Sequence, residues 1–180
     1  MRPVALTGTP GTGKTAVARR LARSVRSVEV GTLALRLGAG RRRGGGVEVD
    51  LRRLQRAVRP RDALGGIDLI VGHLAHLLPV RDIVVLRCHP RELGRRLARA
   101  RRGSPRERRA NVTAEALDVI LTEAVGPGRR VWEIDTTGRS LAEVARSVER
   151  RLRRRGPSRY GRIDWLADPS VTEGLLDRAR

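Results

Sequence analysis

The stretch GTPGTGKT at residues 8–15 constrains this chain more than any other feature in it. Gly8, Gly11 and Gly13, followed by Lys14-Thr15, complete the pattern of a phosphate-binding loop. The loop follows a short apolar run, PVALT at 3–7, that reads as a buried strand. It leads into a helix expected from about Gly13 to Ser24, with Ala16, Val17, Leu21 and Ala22 as its apolar face. Glycines let successive backbone N–H groups converge on phosphate oxygens with no side chain in the way. The helix adds its partly positive N-terminal end. Lys14 is placed to reach between β and γ phosphates, and the Thr15 hydroxyl to join a Mg²⁺ shell.

Downstream, strand and helix signals keep alternating. VEV at 28–30 reads as a strand and TLALRLG as a short helix ending at Gly38; AGRRRGGG at 39–46 reads as a flexible or turn-rich connector. The helix LRRLQRAV then stops before Pro60. IDLIV at 67–71 and DIVVLRC at 82–88 are short apolar runs suited to a parallel sheet covered on both faces. Pro90 opens a helix, a long helix is expected from Arg106 to Val125, RVWEID forms the last strand, and Ser140 caps a final helix. The order implies a three-layer α/β domain. Two stretches interrupt it, an insertion at 31–58 and a basic turn at 101–110, and these are the candidate moving parts. The tail RRGPSRYGRIDWLADP is basic, with apolar residues near Ile163, Trp165 and Leu166; it is open to docking on the domain, and no chemistry is placed there.

Composition narrows the function classes. The chain has 180 residues and a formal charge of +20, which points to polyanionic partners or, because the basic residues other than Lys14 are all arginine, to coding bias. An ordinary GTPase needs an Asn-Lys-x-Asp guanine motif, and the only lysine already serves the loop. Sparse aromatics leave no stacking platform for single-stranded RNA. Cys88 is the single cysteine and no apolar run approaches a membrane-spanning length, so no membrane partner is expected. MRPVALTG lacks the features of a signal peptide, and the expected location is the reducing cytoplasm. Length, insertion and arginine turn together favour a compact phosphotransfer enzyme, whose lid excludes water from the transferring group.

Beyond the loop, GHLAHLLPV at 72–80, VVLRCHP at 84–90, RRGSPRERRANVTAEALDVILTEAV at 101–125 and EIDTTGRS at 133–140 resemble the adenylate kinase isoenzyme 6 type, or CINAP, family, above all its archaeal members. The resemblance spans roughly residues 1–150. It implies a P-loop nucleoside triphosphate hydrolase/kinase fold: a kinase-like domain at 1–155, a monophosphate-binding region at about 31–54, a short lid at about 101–111 and a basic tail at 156–180. The implied activity is a broad-specificity or adenine-preferring nucleoside monophosphate kinase (ATP + AMP = 2 ADP) with ATPase activity. The alternative is an ATP-hydrolysing assembly factor in late small ribosomal subunit maturation, with ribosomal protein uS11 and small-subunit rRNA as partners. Carried onto this sequence, Gly11, Gly13, Lys14, Thr15 and Ala16 hold the ATP phosphates, Arg102 is the lid arginine and His73 acts in hydrolysis.

The residues themselves leave several roles open. Arg102, Arg106, Arg108 and Arg109 fit either a lid swinging over a triphosphate or a solvated helix start. Arg139 fits a place near the base or a surface turn. His73 fits an orienter of water or γ phosphate, or a packed loop histidine, while His76 reads as structural. Two departures from the family stand out. Val71-Gly72 replaces the acid expected at the end of the third strand, and Asp68 lies too far back to substitute. Mg²⁺ then rests on Thr15, phosphates and water, or on an acid from elsewhere such as Asp135. In the monophosphate arm, Gly31-Thr32 and Leu35 replace an Asn-Asp pair and an arginine, with Arg36 as the candidate replacement.

Overall fold

The structure is a computed structural model and describes residues 3–44, 46–60, 63–101 and 103–176. Strand β1 (Val4–Thr7) runs into the phosphate loop and helix α1 (Lys14–Leu21), then β2 (Ser27–Glu29) and α2 (Val30–Arg36). The insertion continues through β3 (Gly40–Arg43), β4 (Gly46–Val49) and α3 (Leu51–Ala57). Strands β5 (Leu69–Val71) and β6 (Asp82–Arg87) follow, then helices α4 (Pro90–Arg99), α5 (Pro105–Ala116) and α6 (Val119–Ala124). Strand β7 (Arg130–Asp135), α7 (Leu141–Arg153) and a terminal α8 (Pro169–Leu176) complete the chain.

The central sheet is parallel, in the order β2-β5-β1-β6-β7. From β1 the chain goes outward to β2, returns to β5, and crosses to β6 and β7. The order therefore reverses at β1, and the carboxyl edge beside such a switch is where open α/β sheets hold ligands. Alternation of side chains divides the core in two. Leu6, Val71, Val84 and Leu86 face Val17 and Leu21 of α1 and Val144 and Val148 of α7. Ala5, Ile70, Ile83 and Val85 face Leu33 of α2, Leu54 of α3 and Leu121 of α6. Helices α4 and α5 pack on each other through Leu93, Leu97 and Val112.

Two expectations are corrected. The arginine-rich connector at 39–46 is one arm of an antiparallel hairpin, with Arg41 opposite Glu48 and Arg43 opposite Gly46. Its alternation is hidden in the sequence because exposed arginines occupy both faces of β3. The single helix expected from Arg106 to Val125 is broken between α5 and α6 by Asp118, whose φ of 56° is left-handed. The Asp118 carboxylate accepts from the buried Arg87 guanidinium, and this tertiary ion pair stops the helix where periodicity would carry it on.

The tail runs against the outer side of β7. Val131 N–H donates to Ser158 Oγ at 3.1 Å, Glu133 N–H to the Arg159 carbonyl at 2.9 Å, and Arg159 N–H to the Val131 carbonyl at 2.8 Å. The indole of Trp132 donates to the Pro157 carbonyl at 2.7 Å. Further on, Trp165 lies edge-on to His89 with ring centres 5.3 Å apart, and Asp168 accepts from His89 Nε2 at 2.9 Å.

Candidate active site

The phosphate loop folds as its glycines require. Gly8 sits at φ 135°, and a Cβ there would lie 2.3 Å from the Leu86 carbonyl oxygen. Gly11, at φ 98°, would drive a Cβ to within 2.8 Å of Leu93, so α4 packs directly on the loop. Gly13, at φ 99°, turns the chain into α1.

Threonines tie the loop down. Thr12 Oγ1 donates to the Thr9 carbonyl at 2.9 Å, and Thr9 Oγ1 donates to Glu115 of α5 at 2.5 Å. Glu115 is buried and also accepts from Arg87 Nε at 2.8 Å, Cys88 N–H at 3.1 Å and Trp165 Nε1 at 3.2 Å. Burial works against the Arg87 charge, but Glu115 and Asp118 more than offset it and leave its pKa raised. Lys14 folds back over the loop, donating to the carbonyls of Gly8 at 2.7 Å and Thr9 at 2.9 Å.

Beside the loop lies a cleft of about 370 Å³. Gly11, Gly13, Lys14, Thr15 and Ala16 form its floor. Glu29 stands on the side of the insertion, Gly72 and His73 come from the end of β5, and Arg96, Leu97 and Ala100 of α4 close the side leading to the basic turn. The cleft is thus bordered by residues just ahead of the two segments that interrupt the α/β alternation, Glu29 before the insertion and Ala100 before the basic turn. Partial desolvation, then the positive Lys14, hold the His73 imidazole below its ordinary pKa, so it is neutral at neutral pH. His76 is buried behind the cleft: its Nε2 donates to Glu123 at 2.9 Å, leaving Nδ1 to accept from Thr7 Oγ1 at 2.9 Å. Desolvation is the main cause of its lowered pKa. His89 turns to the tail, so the three histidines do not converge.

The other candidate residues lie elsewhere. Arg102 is outside the described residues; its neighbour Gly103 helps line a cavity of about 350 Å³ with Pro10 of the loop and Leu97, so the basic turn lies against the loop. Arg139 is not among the residues lining the cleft. Its guanidinium donates to the Asp135 carbonyl at 2.9 Å and Ser147 Oγ at 2.9 Å, bracing the end of β7 against α7. Asp135 spends Oδ1 on the backbone N–H and hydroxyl of Thr137 and does not line the cleft. Asp68 accepts from Arg26 N–H at 2.9 Å, ahead of β5 and away from the loop.

Two charged lining residues were missed by sequence reasoning. Arg96 reaches the cleft from α4 while donating to Thr136 Oγ1 at 3.1 Å and to its carbonyl at 2.8 Å. Glu29 closes β2 and accepts from Thr15 Oγ1 at 2.8 Å. The sequence reading put Glu29 inside a strand at 28–30, whereas β2 ends on it, at the sheet edge where ligands bind. The insertion has a cavity of its own, about 300 Å³, bordered by Arg41, Glu48, Asp50 and Arg53.

A parallel sheet with a glycine loop after its first strand, an insertion of helices and a hairpin after its second and a basic turn between α4 and α5 defines a P-loop protein of the small kinase architecture. The family described as "AAA domain" matches residues 4–118. A protein of Archaeoglobus fulgidus named "Putative adenylate kinase" is 42% identical over 171 residues, covering 92% of this chain and 92% of its own. One of the same name from Thermococcus onnurineus is 39% identical over 165 residues, 90% of each chain. A third, from Halobacterium salinarum, is 44% identical over 154 residues, 81% of this chain and 87% of its own. The chain belongs to this archaeal adenylate-kinase family, the isoenzyme 6 type that its motifs resemble. Among solved structures, a gluconokinase from Sinorhizobium meliloti superposes with a TM-score of 0.51 at 14% identity, covering 99% of this chain and 98% of its own. A protein of Eubacterium ventriosum gives 0.52 at 10% identity, covering 84% and 98%. These two likenesses concern the fold alone. Among the described residues no helix is long and apolar enough to cross a membrane.

Proposed function

We propose that the chain transfers the terminal phosphoryl group of ATP to AMP or a related nucleoside monophosphate, and hydrolyses ATP when water takes the acceptor's place. The observation that carries this reading is the cleft itself: Lys14 and Thr15 at the floor, Glu29 leading into the insertion on one side and Ala100 leading into the basic turn on the other. Two substrates meeting end to end over a phosphate loop need that arrangement. Lys14 exchanges its bonds to the Gly8 and Thr9 carbonyls for β- and γ-phosphate oxygens. The loop amides from Gly11 to Ala16 cradle the remaining oxygens, and the insertion, with Arg41 and Arg53 at its cavity, receives the monophosphate. The Thr15 hydroxyl beside the Glu29 carboxylate is a pair of hard oxygen donors that fits Mg²⁺, whose charge compensates the phosphates during transfer. Arg102 serves as a lid cation over the triphosphate, Arg96 supports the phosphates from the α4 wall, and neutral His73 accepts a hydrogen bond from the attacking water in hydrolysis. Arg139 has a bracing role at the base side. A monophosphate oxygen is mostly ionised at neutral pH, so alignment and charge compensation carry more of the rate than a general base.

A second reading, an ATP-driven assembly factor acting on small-subunit rRNA and uS11, is favoured by one observation. Between α4 and α5 lies a cleft of about 750 Å³ bordered by Arg91, Arg95, Arg108 and Arg109, chemistry suited to a phosphate backbone. The buried thiol of Cys88 and the family suit a cytoplasmic setting. Purified protein supplied with ATP, Mg²⁺ and AMP, CMP, UMP or GMP separates the readings when diphosphate and free phosphate are measured apart. Diphosphate formed in proportion to the monophosphate supports the kinase. Free phosphate alone, stimulated by rRNA or uS11, supports the assembly factor. Lys14→Ala abolishes both products, and turnover surviving it would refute the loop as the site.

A further inference from the structure

Among the loop hydroxyls that line the cleft, Thr15 donates to a carboxylate, and that carboxylate comes from an unexpected strand. In the parallel register Glu29 of β2 stands opposite Val71 of β5, which pairs in turn with Leu6 of β1. Leu6 and Val71 point to the α1 side of the sheet, whereas Val28 and Ile70 point to the other. Residues in register share a face, so Glu29 is directed toward α1 and the loop. β5 thus presents an apolar side chain at this level, and β2 presents an acid. Glu29 is the only carboxylate among the described residues that line the cleft.

Its hydrogen bonding shows what it is positioned for. Glu29 is the N-cap residue of α2, yet its side chain does not cap that helix. It accepts from Thr15 Oγ1 instead, at 2.8 Å across the mouth of the cleft. A hydroxyl has one proton and two lone pairs. With the proton committed to Glu29 Oε1, the lone pairs of Thr15 are left for a cation, and the carboxylate retains a second oxygen. Two hard oxygens beside Lys14 make a poor site for a bare metal ion and a good one for Mg²⁺ already carried by phosphates and water.

We propose that Glu29 is the carboxylate that anchors the Mg²⁺ of a bound nucleoside triphosphate, orienting Thr15 as a direct ligand while itself holding metal-bound water. The cation site is therefore built from β1's loop and β2, with no acid at the end of β5. This rests on the reading of the cleft as a nucleotide site. It makes a prediction of sign that a packing role does not. Without metal, a carboxylate facing the phosphates repels them, so Glu29→Gln keeps or tightens metal-free nucleotide binding. With metal, the same substitution removes most of the benefit.

Calorimetric titration of the full chain with ATP, once in excess EDTA and once in Mg²⁺, tests this, alongside Mn²⁺ electron paramagnetic resonance of the ADP complex and a thermal melt of each variant. The expected result for Glu29→Gln is metal-free affinity equal to or above wild type, with the enhancement by Mg²⁺ reduced about tenfold or more, the scale of outer-shell carboxylate losses. The Mn²⁺ spectrum then approaches that of Mn²⁺–ADP in solution. Undiminished enhancement overturns the proposal. Equal loss of binding with and without metal also overturns it, making Glu29 a brace for the loop and leaving the kinase reading intact. Wild-type protein that binds ATP under neither condition refutes the nucleotide site and the proposal with it.

Discussion

Glu29 and Glu115 each take a hydrogen bond from a threonine of the phosphate loop, and they could hardly be more differently employed. Glu115, 3% exposed, holds Thr9 with one oxygen and gathers Arg87, the Cys88 amide and the Trp165 indole on the other. Glu29 is exposed and has Thr15 at the rim of an open cleft. The first is a buried network in which Arg87 is shared by Glu115, Asp118 and Glu133, and such networks fix geometry. The second sits where a new ligand can enter. The same Thr–Glu contact is thus a rivet on one flank of the loop and a receptive site on the other, with burial making the difference.

The largest effect expected from breaking that contrast comes from Glu115→Ala. It leaves Arg87 buried with reduced compensation and unties Thr9, at a cost of about 3–5 kcal/mol in urea unfolding. A loss below about 1 kcal/mol would show that the cluster is not held as described. Trp165→Ala comes next. It removes the indole bond to Glu115, the edge contact with His89 and the stacking of Arg87 at 5.8 Å, for a loss of about 2 kcal/mol and faster proteolytic removal of the tail. Unchanged proteolysis would detach the tail from this network.

Acid provides a smaller probe of the same flanks. Both His73 and His76 have pKa values lowered on folding, mainly by desolvation, so the unfolded chain binds more protons as the pH falls below about 6.5. The stability they contribute is present above that value and is lost as the pH descends toward their folded values. Melting temperature should fall between pH 7.5 and 5.5, and His76→Gln should flatten the slope. The smallest effect belongs to Glu29→Gln: within about 0.5 kcal/mol in stability, because the side chain is exposed, while its metal linkage changes strongly. A large stability loss there would erase the distinction between the two glutamates.

Much of this was legible beforehand for physical reasons. The loop, its helix and the apolar strand runs are local signals, and so is the Ser140 cap, a reciprocal box with Glu143. What was hidden depends on pairing across the fold. The break at Asp118 is set by Arg87, 31 positions away, and the Thr15–Glu29 contact by strand order, which places β2 beside β5. The hairpin escaped because arginine marks neither face of a strand. Trp165 looked like part of a small apolar group, yet its polar edge carries the contact that matters.

By lending the Ser158 hydroxyl and the Arg159 main chain to Val131 and Glu133, residues 155–162 occupy the outer rim of β7. A chain cut at residue 154 bares a six-residue strand with unsatisfied amides and the Trp132 indole beside them, an invitation for two molecules to zip rim to rim. The final stretch then acts as the molecule's guard against polymerising with itself.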